Sequence, residues 1–344
     1  MAAPRRVRIG DRWVGEGAPC FIVAEMGSLD EKTGVALIRA VAQAGADAVK
    51  VQTFRAETLA QPGAFLTLED GRRIPQFEHF KRLELSLEAH RAFSAAARDC
   101  GLVFFSTPSH PDDVELLEGL GVPAYKIGSD DLTNLPFLEY VARKKKPLIL
   151  STGMSRLEEV GQAAAAVRGA GNEDLILLHC VVGYPARAEQ ANLLAMRTLR
   201  EAFGTPVGFS DHVPGHAVDA AAVALGACVI EKHVVLEKTP GDPDSDVACL
   251  PEEFAAMARA VRETEAALGD GVKTVTPDEE KWRAAARKSI VALKDIEEGQ
   301  ALAASDVGIL RPGTGIPPAD LAKVLGRRTR RRIPKGTALR WDLL

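Results

Sequence analysis

A short apolar run, a polar turn and an alanine-rich amphipathic stretch recur along residues 20–270, and nothing else in the sequence constrains the fold as much. The apolar runs fall at 21–25, 48–52, 102–106, 124–128, 147–151, 175–180, 206–210 and 228–233. Helical periodicity fills the intervals at 33–44, 88–100, 111–119, 155–169, 217–225 and 252–268. Strands of four to six residues alternating with such helices specify a parallel sheet. Eight βα units over about 250 residues fit a closed (β/α)8 TIM barrel better than an open doubly wound sheet. Gly45, Gly101, Gly121, Gly171, Gly204 and Gly226 each follow a helical stretch and precede a strand, where a left-handed C-cap is expected. No Gly-x-Gly-x-x-Gly follows any of the runs, which argues against a dinucleotide fold.

Residues 53–87 interrupt the rhythm with a connection far longer than a usual βα loop, carrying Phe54, Phe65, Phe77 and Phe80. Such a loop is either part of a site at the barrel rim or an ornament over it. The barrel is read as residues 1–270, followed by a linker at 271–286 and a β-rich domain at 287–344. That tail holds a weak repeat: Ile296-x-x-Gly299-x-x-Leu302 before Asp306, then Ile333-x-x-Gly336-x-x-Leu339 before Asp342. Two such β-turn–strand units make a pseudo-symmetric domain of about 60 residues, small enough to need a docking partner. The basic run Arg327, Arg328, Arg330, Arg331 and Arg332 reads as a solvated or docking surface rather than a nucleic-acid site.

Composition narrows the function. Lys and Arg number 43 against 47 Asp and Glu, a net charge of −4 that gives no bulk attraction to nucleic acid or an anionic membrane. No stretch approaches the roughly 18–20 apolar residues of a spanning helix, and no apolar run follows Arg5-Arg6 as a secretory leader requires. The 5 cysteines lack any Cys-x-x-Cys spacing and read as buried thiols of a cytoplasmic protein.

In a barrel of this class the reacting groups stand at the C-terminal ends of the strands. Those ends carry Glu25, Lys50, Gln52, Ser106, Thr107, Lys126, Ser129, Ser151, Thr152, His179, Asp211, His212, Glu231 and His233. A structural barrel has no need of this ring, because unpaired buried charge is costly. His212 and His233 end consecutive strands, which lie about 4.8 Å apart, a span one metal ion can bridge. Either they are hydrogen-bonded core residues or they hold a divalent ion with positions open for water and substrate; manganese, magnesium and zinc all suit. Lys50 and Lys126, with Thr107, Ser129 and Ser151, form a basic, hydroxyl-rich patch for a phosphate or carboxylate. Schiff-base chemistry is the alternative for a barrel lysine.

The segments Phe21-Ile-Val-Ala-Glu-Met-Gly27, Ala44-Gly-Ala-Asp-Ala-Val-Lys-Val-Gln-Thr-Phe54, Phe105-Ser-Thr-Pro108, Val122-Pro-Ala-Tyr-Lys-Ile-Gly-Ser129, Leu148-Ile-Leu-Ser-Thr-Gly-Met154, Leu178-His-Cys180 with Tyr184-Pro185, Gly208-Phe-Ser-Asp-His212 and Ile230-Glu-Lys-His233 closely resemble the sialic acid synthase family. Leu310-Arg-Pro-Gly-Thr-Gly315 resembles its C-terminal antifreeze-like (SAF) domain. The resemblance implies condensation of phosphoenolpyruvate with an open-chain N-acetylmannosamine-like aldehyde to a nine-carbon 2-keto acid, with phosphate lost by C–O cleavage. It implies His212 and His233 as ligands of a divalent metal, manganese first. Lys50, Thr107, Lys126, Ser129, Ser151 and Ser210 would hold phosphoenolpyruvate. Glu25 and Gln52 would face acceptor and metal, Asp244 the reacting carbon, and Asp131 and Tyr184 the acceptor. Arg311 would reach the acceptor from the neighbouring subunit of a domain-swapped homodimer.

Four departures from the family pattern touch the acceptor side. Ser28-Leu29 replaces an Asn-His pair, Asp131 a glutamate, and Val182 a polar residue, and Pro240-Gly-Asp-Pro-Asp244 carries one extra residue. Either the acceptor is non-standard, or the connection at 53–87 supplies substitute polar groups. The competing readings are the same donor chemistry on a non-acetylated or phosphorylated aldehyde, and a non-catalytic sugar-acid-binding scaffold.

Overall fold

In the computed structural model, which describes residues 5–27, 30–67, 71, 73–239 and 243–344, the eight apolar runs form one closed barrel of parallel strands. They are β1 (Phe21–Met26), β2 (Ala48–Thr53), β3 (Val103–Pro108), β4 (Tyr125–Ile127), β5 (Leu148–Ser151), β6 (Leu175–Cys180), β7 (Val207–Asp211) and β8 (Val229–Val234). Each pairs with the next in the chain, and β8 returns to β1, His233 standing beside Glu25 and Glu25 beside Lys50. β4 is the shortest because only Ser106 and Tyr125 pair across its ladder to β3. All six junction glycines have positive φ, from 61° at Gly204 to 95° at Gly45.

Among the helices that no periodicity announces are two of the barrel's own crossovers, Leu135–Ala142 and Ala195–Phe203. The first is short and buries Phe137, Leu138, Val141 and Ala142, so it lacks a polar face long enough to read. The connection after β2 contains helices Ala56–Leu59 and Gln76–Leu83 and a small hairpin, Phe65–Thr67 with Arg73–Pro75.

Alternation along each strand divides the barrel interior into two levels. Near the N-terminal ends the inward residues are apolar: Phe21 and Val23, Ala48, Phe105, Ala124, Ile149, Ile176 and Leu178, and Val229. The hairpin Arg6–Ile9/Arg12–Gly15 adds Val7, Ile9 and Val14 to this same cluster. Two residues further along each strand the inward groups turn polar, as Glu25, Lys50, Lys126, Ser151, Ser210, Glu231 and His233, all buried. Outward positions pack against the helices in a separate, larger core. No helix among the described residues is long and apolar enough to cross a membrane.

Residues Met1–Gly269 and Asp270–Leu344 form two compact units. The segment read as a linker holds the helix Pro277–Ala286, closed at its start by a capping box between Thr276 and Glu279. In the second unit Ser289–Ala292 pairs antiparallel with Val307–Leu310. The sequence repeat is structural: Ile296 and Ile333 exchange backbone hydrogen bonds of 2.9 and 2.8 Å, and Gly299 and Gly336 take matching φ of 76° and 84°. Leu302 and Leu339 fill the core of this unit together with both isoleucines. Members of the basic run are held internally, Arg332 by Asp295 at 2.7 Å and Arg331 by Asp342 at 3.1 Å.

Candidate active site

The polar level of the barrel opens into a cavity of about 360 Å³ at the C-terminal ends of the strands. Its floor is a network of buried ions. The Lys50 ammonium lies 3.0 Å from Glu25 and 3.5 Å from Glu231, and donates to the Thr107 hydroxyl at 3.1 Å. Lys126 donates to the Ser151 hydroxyl at 2.7 Å and stands 3.6 Å from Glu231. Ser210 donates to Glu231 at 3.0 Å, and the Gln52 amide to Glu25 at 3.1 Å.

The two carboxylates titrate in opposite directions. Burial, reinforced by the charge of Glu231, pushes Glu25 up to about 7. Against the same burial, the ammonium groups of Lys126 and Lys50 and the Ser210 hydroxyl hold Glu231 down to about 2. Glu231 therefore carries the charge that two lysines share, while Glu25 is the one ready to hold a proton.

Across the cavity the rings of His212 and His233 stand 5.4 Å apart, with Tyr184 4.6 Å from His212. His212 Nδ1 bonds the Val181 carbonyl at 2.9 Å, which fixes the ring and leaves Nε2 as a lone pair. His233 Nδ1 is buried with no hydrogen-bond partner among the described residues, and burial, followed by the neighbouring His212, keeps the ring neutral. Against burial, Cys180 and the Val181 carbonyl raise His212 above its ordinary value, so His233 presents a neutral nitrogen outright and His212 does so on losing its proton, as a divalent cation requires. No cluster of three or more His, Cys, Asp or Glu metal donors exists among the described residues, so two histidines fit an ion that takes its other ligands from water and substrate.

The structure brings Glu25, Lys50, Gln52, Thr107, Lys126, Ser129, Ser151, Tyr184, Ser210, His212, His233 and Asp244 together around this one cavity. Ser129 accepts from the Gly153 N–H at 3.0 Å, and a Cβ on Gly153 would come within 2.7 Å of the Ser129 hydroxyl. Asp131 is not in the lining: its carboxylate turns aside to the Asn134 amide at 2.9 Å, and Asp130 faces the cavity instead. Arg311 belongs to the second unit, exposed at an Arg311–Pro312 turn, with no hydrogen bond or ion pair to its guanidinium among the described residues. Ser28 and Leu29 lie outside the described residues. Four strand-end groups face away: Ser106 donates to the Val51 carbonyl at 2.8 Å, His179 bonds the Ala191 carbonyl at 2.7 Å, Thr152 the Leu178 carbonyl at 3.0 Å, and Asp211 pairs with Lys232.

Glu231, named in the strand-end ring but given no role there, proves to be the carboxylate that both lysines share, and Cys180, in register with Ser210, is a lining residue that strand pairing makes readable. The long connection is part of the site, contributing Phe54, Leu59, His79, Phe80 and Leu83 to the lining. Phe54 and Phe80 meet edge to face at 5.5 Å. Nothing in the sequence distinguished these from Phe65, which is exposed.

Comparison with known proteins gives a family-model match to the NeuB family over residues 37–273 and to the SAF domain over 287–344. The N,N'-diacetyllegionaminic acid synthase of Legionella pneumophila is 39% identical over 353 residues, covering 99% of each chain. The pseudaminic acid synthase of Helicobacter pylori is 34% identical, covering 94% of this chain and 97% of that one. The crystal structure of the N-acetylneuraminic acid synthetase of Leptospira borgpetersenii superimposes with a TM-score of 0.73 at 28% identity, over 82% of this chain and 96% of that one.

Proposed function

Because the chain belongs to the NeuB family, whose named relatives are synthases of sialic-type acids, we propose that it condenses phosphoenolpyruvate with an open-chain amino-sugar aldehyde to give a 2-keto-3-deoxy nonulosonic acid and phosphate. The observation that carries this reading is the convergence of two buried lysines and four hydroxyls on one cavity: Lys50 and Lys126 with Thr107, Ser129, Ser151 and Ser210. A buried floor of ammonium and hydroxyl donors suits a small, highly charged phosphate ester and neutralises its phosphate as it leaves.

In this reading Lys50 and Lys126 hold the phosphate and carboxylate, and the hydroxyls orient them. Carbon 3 of the enolpyruvate forms the new bond to the aldehyde carbon, leaving positive charge at carbon 2. Water adds there, and the tetrahedral centre expels phosphate together with the bridging oxygen. One proton of that water ends on the new hydroxyl and the other leaves with phosphate. A divalent cation on His212 and His233 would supply Lewis acidity toward the aldehyde oxygen. Gln52 and Glu25 orient the acceptor, and Asp244 faces the reacting carbon. Phosphoenolpyruvate labelled in its bridging oxygen should deliver that label to inorganic phosphate; label in the keto acid would overturn the mechanism.

The acceptor end supports a sugar richer in methyl groups than N-acetylmannosamine. Around the mouth stand Phe54, Leu59, Phe80, Leu83, Met154 and Val182, and among the described residues of the long connection only His79 adds a side-chain hydrogen-bonding group to the lining. A buried hydroxyl without a partner costs about 1–3 kcal/mol, whereas a deoxy carbon or the methyl end of an acetamido group meets this wall without that penalty. Phosphate release measured against a panel of aldehydes tests this. A specificity constant for N-acetylmannosamine equal to or above that of every other aldehyde tested would refute it.

A further inference from the structure

Behind the two histidines, outside the cavity, lies a second group of buried charges that the reaction does not touch. The alternation that turns Glu231 and His233 inward turns Lys232 outward, into the layer between barrel and helices. Other outward positions there are apolar, among them Ile230 and Val234 on the same strand and Phe209 on the next. Lys232 is only 2% exposed.

Its ammonium pairs with Asp211, its partner in register across β7 and β8, and lies 3.7 Å from Asp219. It also donates to the carbonyls of Val213 at 2.5 Å and Gly215 at 3.0 Å. The other Asp211 oxygen accepts from the Val213 N–H at 2.9 Å. The turn that carries His212 is thus tied from both sides, at residues 211, 213 and 215, to the residue next to His233. A methionine at 232 would fill the same space without a buried ammonium to compensate, and among the described residues the Asp219 oxygens have no hydrogen-bond partner, only the Lys232 ammonium at 3.7 Å. Stability alone gives no reason for so many buried ions between barrel and helices.

We propose that the Asp211–Lys232 pair is a positioning device that sets His212 against His233 at the spacing a divalent cation needs. The inference rests on the reading of those histidines as cation ligands. Lys232 and Asp211 touch neither cation nor substrate; they act through the backbone of the residues beside them, as outer partners orient metal ligands elsewhere.

The test uses the full-length chain stripped of metal and titrated with Mn²⁺ alone, the free ion being followed by electron paramagnetic resonance. Wild type should bind one ion per chain, and His212→Ala and His233→Ala should abolish that binding. Lys232→Met should weaken it by about tenfold or more while phosphoenolpyruvate affinity, measured by calorimetry without metal, changes less than twofold. Asp211→Asn keeps the side chain's shape and its bond to the Val213 N–H; it should weaken binding in the same direction and decides the matter if Lys232→Met does not fold. Wild-type Mn²⁺ affinity in the folded variants, or loss of both affinities together, overturns the inference while leaving the histidine assignment standing. Undiminished Mn²⁺ binding by the histidine variants overturns the assignment itself, and the positioning role with it.

Discussion

Replacing Lys126 by methionine separates what the buried ammonium does for the fold from what it does for the substrate. Methionine has nearly the same length, so the change removes a charge and leaves little cavity. In the folded enzyme Lys126 donates to Ser151 at 2.7 Å and to the Ile127 carbonyl at 3.1 Å, and faces Glu231 at 3.6 Å. Removing one member of a buried pair costs roughly 3–5 kcal/mol. Here Glu231 keeps Lys50 at 3.5 Å and Ser210 at 3.0 Å, which places the loss at the lower end. A loss of about 3 kcal/mol lowers the barrel's thermal midpoint by about 6–12 °C. The functional loss is of a different kind. A hydrogen bond to a charged partner contributes about 1.5–3 kcal/mol, so kcat/KM for phosphoenolpyruvate should fall by at least about 10- to 150-fold. The KM of the aldehyde should move far less, because Lys126 stands on the floor rather than among the apolar groups of the mouth. Phosphate release with one substrate varied at saturation of the other, beside a thermal unfolding curve, reads both effects. A kcat/KM for phosphoenolpyruvate within threefold of wild type, in a variant destabilised as expected, would refute the assignment of Lys126 to the donor.

Chelation should abolish turnover and added Mn²⁺ restore it, with His212→Ala and His233→Ala losing activity to a similar degree; full activity in metal-free buffer would refute the cation reading. His90 predicts a pH effect on stability: it is buried between the Thr53 hydroxyl and the Ser86 carbonyl, both at 2.8 Å, and burial lowers its pKa from 6.5. The unfolded chain then binds the extra proton first, so this contribution is intact above pH 6.5 and is lost as pH falls below it; His90→Gln should flatten that part of the stability profile, and an unchanged slope would contradict the reading. Mixing Arg311→Ala with His233→Ala chains under subunit exchange should recover about a quarter of wild-type activity if Arg311 serves the neighbouring barrel, whereas no recovery despite demonstrated exchange would rule the crossover out.

Much of this protein is written in its sequence. Local periodicity fixes the strands and most helices, and the glycines at the junctions mark the ends. Because side chains alternate along a strand, choosing His233 as inward already commits Glu231 inward and Lys232 outward. The same parity separates Lys50 and Lys126, on the cavity floor, from Thr53, which turns outward to His90 and Ser106. The repeat around Ile296 and Ile333 likewise foretold two matching turns. Other features depended on how distant segments meet. Asp130 faces the cavity and Asp131 does not because Asn134 draws the second carboxylate away. Phe54 and Phe80 reach the site while Phe65 lies exposed, as the fold of the long connection dictates. The opposite titration of Glu25 and Glu231 arises because Lys126 approaches only the second from a strand on the far side of the barrel. Strand parity is a local property of the backbone and survives in the sequence. The field at a buried carboxylate is a sum over neighbours that only barrel closure assembles.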